Sequence, residues 1–314
     1  MDAHEMFFES KPVRWADFGQ FSMSLARFFK TCPPPILVVS LPRSGSSWVG
    51  ETLGSSKSAL YLREPITQSY MAEGGKYTVV DLDPHSPLPG YQYFAHLAFS
   101  GLPAFPRTVV IFPNRWSLFA RRNKRLVIKE VNPLACQWLL QTYRPRVIFL
   151  VRHPAAVARS WNQLGWITSK DELLFATGRL LKGPLSRWRE TIMSASSFWE
   201  MQGALQGAVL RQALDCLAAY EDFKTIRYED LCTSPIKIFQ DLFHFSGLTW
   251  DRDVEELILA KISGENSAAP YSTTRNSKTM PDAWKEKFAA ADLDSLRQYF
   301  CAFELPFYNT PDDW

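Results

Sequence analysis

Short, almost wholly apolar runs alternate along this chain with longer stretches in which apolar residues recur every three or four positions. Runs that are apolar on both faces are typical of buried parallel strands, and the periodic stretches between them predict helices. The alternation therefore predicts an α/β fold, with a central, mostly parallel sheet of about five strands flanked by helices. The predicted strands cover residues 35–41, 59–62, 125–131, 146–151 and 224–228.

Two long segments show neither the apolar runs of the predicted strands nor the periodicity of the predicted helices. Residues 72–107 are dense in Gly and Pro, and residues 263–283 are mostly polar. Loops of such length inside a compact α/β chain are usually functional, so we expect both to face the substrate or to close over it. A long amphipathic helix is predicted over residues 203–220, where one apolar stripe indicates packing. No repeat or linker divides the sequence, which predicts a single domain over residues 1–314.

The composition indicates a globular protein and narrows its partners. Of 314 residues, 46% are hydrophobic, which is enough for a continuous core. The 35 basic and 32 acidic residues are too balanced to hold nucleic acid by charge alone. No run approaches the length of a membrane span, and the N-terminus lacks the pattern of a signal peptide, so we expect no membrane association and a cytoplasmic location. Five scattered cysteines predict reduced thiols and no metal site.

The first motif with chemical content is Pro-Arg-Ser-Gly-Ser-Ser-Trp, residues 42–48, directly after the first predicted strand. We expect a helix to begin here with Ser46 or Ser47 as its cap. Backbone N–H groups at such a helix start favour a phosphate-like anion, Gly45 lets the anion approach, and Arg43 adds charge. The second Gly and the Lys of a Walker A loop are missing. The alternative is a purely structural turn.

A second motif repeats this arrangement over residues 147–161. A strand ends at Arg152, Pro154 occupies a natural first position of a helix, and Ser160 follows on that helix. Ala156 shares a helix face with Ser160, which leaves room for an anion bound jointly by Arg152 and Ser160. The alternative is an Arg paired with a carboxylate and a Ser bonded to its own helix.

Together these two motifs resemble the signature of sulfotransferases that use 3′-phosphoadenosine 5′-phosphosulfate (PAPS). Residues 226–248 resemble the strand, Tyr-Glu-Asp and helix block of that family, and residues 271–288 resemble its late Arg-rich loop. The resemblance runs in family order from residue 36 to about 288. It implies an architecture like that of P-loop NTPases, PAPS as co-substrate, adenosine 3′,5′-bisphosphate (PAP) as product, and no metal.

The resemblance also implies roles for individual residues in binding PAPS. The ligand carries about four negative charges on two separate phosphate groups, which suits two Arg/Ser sites at neighbouring strand ends. Arg152 and Ser160 would hold the 3′-phosphate, Tyr228 would lie near the adenine, and Arg275 would close over the 3′-phosphate. The residues implied at the 5′ side are Arg43, Ser44, Gly45, Ser46, Ser47 and Trp48.

Lys129 lies in residues 125–131, which resemble the family's strand that bears a catalytic Lys, so we predict it as the catalytic cation, together with Arg43. A Lys within an apolar strand is costly unless it meets an anion. The family's cytosolic members place a His base two residues later, where this chain has Val131. Carbohydrate-type and bacterial members often use a Glu after the second strand, and Glu64 stands there, so we predict Glu64 as the base. We expect Pro65 to hold it extended; the rival bases are Glu130, His85 and His96.

The acceptor pocket is predicted in residues 66–125 and 162–190, where aromatic side chains are interspersed with Arg. A pocket lined by such side chains suits a small molecule, either a natural product or a sugar. The molecule would accept the sulfuryl group on a hydroxyl or an amine. Two other functions remain open at this point. A nucleotide or small-molecule kinase would share the anion site but needs a Walker A loop and a magnesium ligand, and a non-catalytic nucleotide-binding protein would keep only the phosphate contacts.

Overall fold

Six strands form one sheet in the computed structural model, which describes residues 11–263, 282–285 and 288–314. The strands are β1 (Cys32–Val39), β2 (Ala59–Arg63), β3 (Val110–Ile111), β4 (Arg125–Glu130), β5 (Arg146–Val151) and β6 (Phe223–Arg227). Their spatial order is β3-β2-β4-β1-β5-β6, and each neighbouring pair is parallel except β2 and β3. The mostly parallel sheet predicted from the sequence is therefore confirmed.

The five predicted strands correspond to β1, β2, β4, β5 and β6, and the prediction missed β3. This strand has only two residues and pairs antiparallel at the edge of the sheet, so it leaves no periodic signal in the sequence. The central strand β1 shows why its run is apolar on both faces. Leu37 and Val39 belong to one buried cluster, while Ile36 and Val38 belong to a second cluster on the opposite face.

Helices cover both faces of this sheet. The long amphipathic helix predicted over residues 203–220 is confirmed and begins five residues earlier, at Phe198. The helices within the described residues are α1 (Gln20–Phe28), α2 (Ser46–Gly54), α3 (Pro65–Ala72), α4 (Pro89–Phe99), α5 (Cys136–Tyr143), α6 (Pro154–Gln163), α7 (Lys170–Thr177), α8 (Arg189–Ser194), α9 (Phe198–Ala218), α10 (Tyr228–Thr233), α11 (Pro235–Ser246), α12 (Arg252–Ser263) and α13 (Ala290–Cys301).

One of the two predicted loops was wrong. Residues 72–107 contain α4, whose buried side chains include Tyr91 and Phe94. Pro89 stands in the first turn of α4, where its missing N–H leaves no intrahelical hydrogen bond unmade, so the Pro that indicated a loop in fact begins a helix. The other predicted loop, 263–283, lies almost entirely outside the described residues. No helix among the described residues is long and apolar enough to cross a membrane.

Candidate functional site

The carboxyl ends of four neighbouring strands bring the predicted site residues to one edge of the sheet. Arg63 at the end of β2 is in register with Lys129 on β4, and Lys129 is in register with Val38 on β1. Because β1 lies between β4 and β5, its loop stands where the chain order reverses across the sheet. In open α/β sheets this switch point is where ligands bind.

The loop after β1 has a tight left-handed backbone at two positions. Arg43 has φ 69° and Gly45 has φ 94°. Gly45 is the N-cap of α2, and the prediction of Ser46 or Ser47 as the cap was wrong, because α2 already begins at Ser46 without a side-chain cap. The buried hydroxyl of Ser46 instead lies 2.8 Å from the Ser40 hydroxyl, which ties the helix start back to the strand.

Aromatic rings surround this loop. A Cβ atom on Gly45 would lie 2.5 Å from Cδ2 of Tyr228, so the ring occupies the space that any side chain at position 45 would need. Trp48 contacts the Tyr228 ring edge-on, with centroids 6.4 Å apart. The buried indole N–H of Trp48 has no hydrogen-bond partner among the described residues, which leaves one donor next to the loop.

We predict that Gly45→Ala lowers the melting temperature clearly more than Gly74→Ala. The two glycines have φ 94° and 92°, but a Cβ at Gly74 would meet nothing within 4 Å. Both variants bear the cost of a left-handed alanine. Gly45→Ala adds the overpacking of Tyr228, about 1–3 kcal/mol. Thermal unfolding of the two variants checks this. Equal decreases in melting temperature would mean that the Tyr228 ring moves aside at no cost in stability.

Arg152 lies between the loop and the Tyr228 ring. Its Nη1 donates to the Arg43 carbonyl oxygen at 3.0 Å, and its guanidinium carbon stands 4.4 Å from the ring centroid. Its buried Nε–H has no hydrogen-bond partner among the described residues. Arg43 in turn donates from Nε to the Ser160 hydroxyl at 2.9 Å. Arg43 thus joins the two predicted phosphate motifs, and its side chain reaches the serine that was predicted for the other motif.

His153, next to Arg152, is a feature that sequence analysis missed. Its ring stacks on Trp284 with centroids 4.2 Å apart and meets the edge of Trp314 at 4.7 Å. Its Nε2 lies 2.8 Å from the carbonyl oxygen of Asp313. Burial lowers the pKa of His153 to about 3, so the imidazole is neutral and adds no charge beside Arg152. These contacts fasten the second motif to the last residues of the chain.

At the other end of the site, Lys129 and Glu64 form an ion pair. The Lys129 ammonium donates to Glu64 Oε1 and is only 3% exposed, while Glu64 is 23% exposed. The Glu64 backbone N–H also donates to the Lys129 carbonyl oxygen at 2.6 Å. Burial by itself raises the pKa of Glu64, but the charge and hydrogen bond of Lys129, aided by the charge of Arg63 and by Gln68, outweigh it and hold the pKa below its usual value.

The backbone at Glu64 differs from the prediction. Pro65 was expected to hold Glu64 extended, but Glu64 has φ 54° and ψ 44°, in the left-handed region. Pro65 is the first residue of α3, and Glu64 is the N-cap of that helix. A Pro disfavours the right-handed helical region in the preceding residue, and the left-handed region is the other way to turn from β2 into α3. This turn aims the carboxylate at Lys129.

The rival bases lie elsewhere. Glu130 is fully buried and bonded to the start of α3, and burial raises its pKa to about 7, although hydrogen bonds from Thr67 and Ile66 oppose that rise. His85 lines a groove with Arg144 and Asp222, which precede β5 and β6 and so lie at the opposite edge of the sheet. Neither Glu130 nor His85 therefore pairs with Lys129 as Glu64 does, and Glu64 stays the predicted base.

The remaining predictions concern residues that are exposed or not described. His96 is exposed on the last turn of α4. Arg275 lies outside the described residues, as does most of the Arg-rich segment that resembled the family. No cluster of His, Cys, Asp and Glu among the described residues has the arrangement of a metal site. The contacts described above thus place Glu64, Lys129, Arg43 and Arg152 at one sheet edge.

Comparison with known proteins agrees with this geometry. A family model described as Sulfotransferase domain matches residues 33–302. Human carbohydrate sulfotransferase 5 is 24% identical over 301 residues, which cover 80% of this chain and 71% of that protein. The matched range includes all of the strand ends and loops of the site.

Two solved structures also match most of this chain. The sulfotransferase domain from the curacin biosynthetic pathway is 16% identical, covers 88% of this chain and 100% of that chain, and has a TM-score of 0.48. A retinol dehydratase in complex with retinol and PAP is 15% identical, covers 89% of this chain and 83% of that chain, and has a TM-score of 0.44.

Proposed function

The chain belongs to the sulfotransferase family, and on that basis we propose that it transfers a sulfuryl group from PAPS to a hydroxyl or amine of a small-molecule acceptor, releasing PAP. We further propose that one domain carries the whole reaction. The observation that carries the mechanism is the alignment of an Arg/Ser anion site and a Lys–Glu pair along the ends of four neighbouring strands.

The residues at this edge fit a ligand with two phosphate groups. Two buried donors, the Trp48 indole N–H and the Arg152 Nε–H, have no hydrogen-bond partner among the described residues, and a buried donor left in that state is costly. The helix α2 begins at this loop, after the N-cap Gly45, and directs the positive end of its dipole at the same place. An anionic ligand would relieve the cost of the unpaired donors.

On the donor side, we assign the loop from Arg43 to Trp48 to the 5′-phosphosulfate. Arg152 and Ser160 then hold the 3′-phosphate, Tyr228 packs near the adenine, and Arg275 closes over the 3′-phosphate. The Arg43–Ser160 hydrogen bond supports binding of both phosphates within one continuous site. It also implies that Arg43 lies between them, so its charge serves both phosphate groups.

The reaction needs a cation at the transferring group and a base for the acceptor proton. PAPS supplies the sulfuryl group; the acceptor oxygen or nitrogen bonds to sulfur while the bond from sulfur to the phosphate oxygen breaks. Lys129 and Arg43 stabilise the charge that develops on the bridging oxygen. Glu64 takes the acceptor proton. Its pKa, held down by Lys129 despite burial, keeps the carboxylate ionised and ready to accept that proton.

The acceptor is proposed to be an amphipathic natural product. Trp161 donates to the carbonyl oxygen of Pro42 in the first loop and meets Trp166 edge-on at 5.5 Å. Trp166 and its neighbour Ile167 are 38% and 79% exposed, so an apolar surface stands next to the site. A sugar is the second candidate, suggested by the name of the human relative.

We predict that PAP raises the melting temperature of the protein and that ATP at the same concentration does not. A ligand at 100 times its dissociation constant stabilises the native state by about 2.7 kcal/mol. ATP lacks the 3′-phosphate proposed to contact Arg152. Equal stabilisation by ATP and PAP would contradict a site specific for the 3′-phosphate, and turnover of labelled PAPS with a panel of acceptors then tests transfer itself.

A further inference from the structure

The start of α3 lacks the cap that helices usually carry. A helix leaves its first N–H groups without intrahelical partners, and the N-cap side chain normally accepts from one of them. Here the N-cap is Glu64, which makes no such bond because its carboxylate is turned to Lys129. The first N–H groups of α3 are nevertheless buried, so another acceptor is needed.

Glu130 provides that acceptor from the neighbouring strand. Its Oε1 accepts from the Ile66 N–H at 2.7 Å, and its Oε2 accepts from the Thr67 N–H at 3.3 Å and from the Thr67 hydroxyl at 2.6 Å. Glu130 is fully buried, and it directly follows Lys129 on β4. Because successive side chains of a strand point to opposite faces, one residue reaches Glu64 while the next reaches the helix behind it.

We propose that Glu130 is a positioning residue that caps α3 in place of Glu64, so that the Glu64 carboxylate is left to face Lys129 and the acceptor. The proposal rests on the proposed function, in which Glu64 is the base. Without a substitute cap, the Glu64 side chain would compete for the N–H groups at the start of α3 and turn away from Lys129. The left-handed backbone of Glu64 is unfavourable on its own and needs such external support.

A second layer of buried groups fixes Glu130. Thr67 is 3% exposed, and the fully buried Tyr91 lies near both Thr67 and Glu130. The hydroxyl of Tyr91 accepts from the Asn132 amide at 3.3 Å. Asn132 both donates to and accepts from the backbone of Val80. Side chains in such a satisfied network lose little freedom on ligand binding, which is what preorganisation of a base requires.

The test is a double-mutant cycle on turnover with labelled PAPS, using Glu64→Gln, Glu130→Gln and the double variant. Glutamine at 130 retains an oxygen for Ile66 but turns an amide N–H₂ towards two Thr67 donors. We expect Glu130→Gln to lower kcat by about 10- to 100-fold, the cost of a misplaced catalytic group. Added to Glu64→Gln, the Glu130→Gln substitution should change kcat by less than about twofold, because the effects of substituting residues that act as a unit are not additive.

Two further measurements separate positioning from general stability. The dissociation constant for PAP should stay unchanged in Glu130→Gln. The profile of kcat/KM against pH should lose the fall near pH 7 that protonation of Glu130 causes in the wild type. The fall that belongs to Glu64 should move to higher pH, because Glu64 released from Lys129 loses the partner that holds its pKa down. Thr67→Val keeps the volume but removes one donor to Glu130, so we expect a smaller change in the same direction. It also provides the test if Glu130→Gln does not fold.

The outcomes that overturn the proposal are distinct from those that overturn the function. If Glu130→Gln lowers kcat equally in both backgrounds, Glu130 acts independently of Glu64 and the proposal is wrong. An unmoved pH profile in both Glu130→Gln and Thr67→Val has the same meaning. If Glu64→Gln alone leaves kcat unchanged, the assignment of the base is wrong, and the positioning role is lost with it.

Discussion

Arg152→Ala is expected to weaken the binding of PAP by about 30- to 5,000-fold, the range for truncating one partner of a buried charge pair. The variant removes the proposed contact with the 3′-phosphate. It also removes the hydrogen bond to the Arg43 carbonyl oxygen and the cation that lies over the Tyr228 ring. Isothermal titration of PAP measures the loss.

Comparison of two ligands assigns that loss to one phosphate. Adenosine 5′-monophosphate lacks the 3′-phosphate, so Arg152→Ala should lower the affinity for PAP to nearly that for the monophosphate and leave the monophosphate affinity almost unchanged. Ser160→Ala should follow the same pattern more weakly. Arg43→Ala should weaken both ligands, because its side chain lies between the two motifs.

The control variant is Arg252→Ala, which removes the same charge from the surface. Arg252 is 88% exposed and pairs with Glu256 one turn away on α12. Arg152→Lys adds a finer test, because lysine keeps the charge but loses the planar group that stacks on Tyr228 and binds two oxygens at once. The affinity of Arg152→Lys for PAP should lie between those of the wild type and Arg152→Ala. Unchanged PAP affinity in Arg152→Ala would remove this residue from the site.

Much of the fold follows from local pattern, which is why the sequence predicts it. The strand over residues 146–151 appears with the same bounds, and Arg152 and Pro154 follow it as a strand end and a helix start. A run of apolar residues and a Pro at the first helical position act over a few neighbours in the chain. The two motifs meet because β1 and β5 are adjacent in the sheet.

Features that depend on distant residues were missed. The loop predicted over residues 72–107 contains α4 because its aromatic residues are buried against α3 and the neighbouring core, which outweighs its Gly and Pro content. The backbone N–H of His153 donates to the Glu229 carboxylate, and the His153 ring stacks on Trp284. Both contacts join segments that are far apart in sequence. No periodicity within one segment encodes such contacts.

The backbone conformation of the candidate base, Glu64, also depends on a distant residue. The sequence placed Glu64 after β2 and Lys129 within β4, and the register of the two strands makes them neighbours. The left-handed turn at Glu64 was not predicted, since it depends on Glu130 accepting from the start of α3. Glu130 was considered as a base, whereas its hydrogen bonds with Ile66 and Thr67 use it as a cap.

Glu64→Gln is expected to lower kcat by a factor of about 100 or more while the dissociation constant for PAP stays unchanged, the usual loss when a general base is removed. The glutamine oxygen can still accept from Lys129, so that ammonium keeps a hydrogen bond although it loses its counter-ion. Glu304→Gln is the matched control, because it removes the same charge from an exposed pair with Arg187. Loss of turnover in both variants to the same degree would contradict the assignment.

The dependence on pH follows from the direction of the shift at Glu64. Because Lys129 outweighs burial and holds the pKa of Glu64 below the ordinary value, the fall in turnover that comes from protonation of Glu64 should lie below the usual glutamate range. Protonation of Glu130, whose pKa burial raises to about 7, should lower turnover at higher pH, as Glu130→Gln does. The stability contributed by the ion pair has the same sign: it is present above the pKa of an unfolded glutamate and is lost as pH falls through the lower folded pKa. Glu64→Gln removes both dependences, so its residual turnover should lack the acidic limb. Persistence of that limb in the variant would show that another group titrates there.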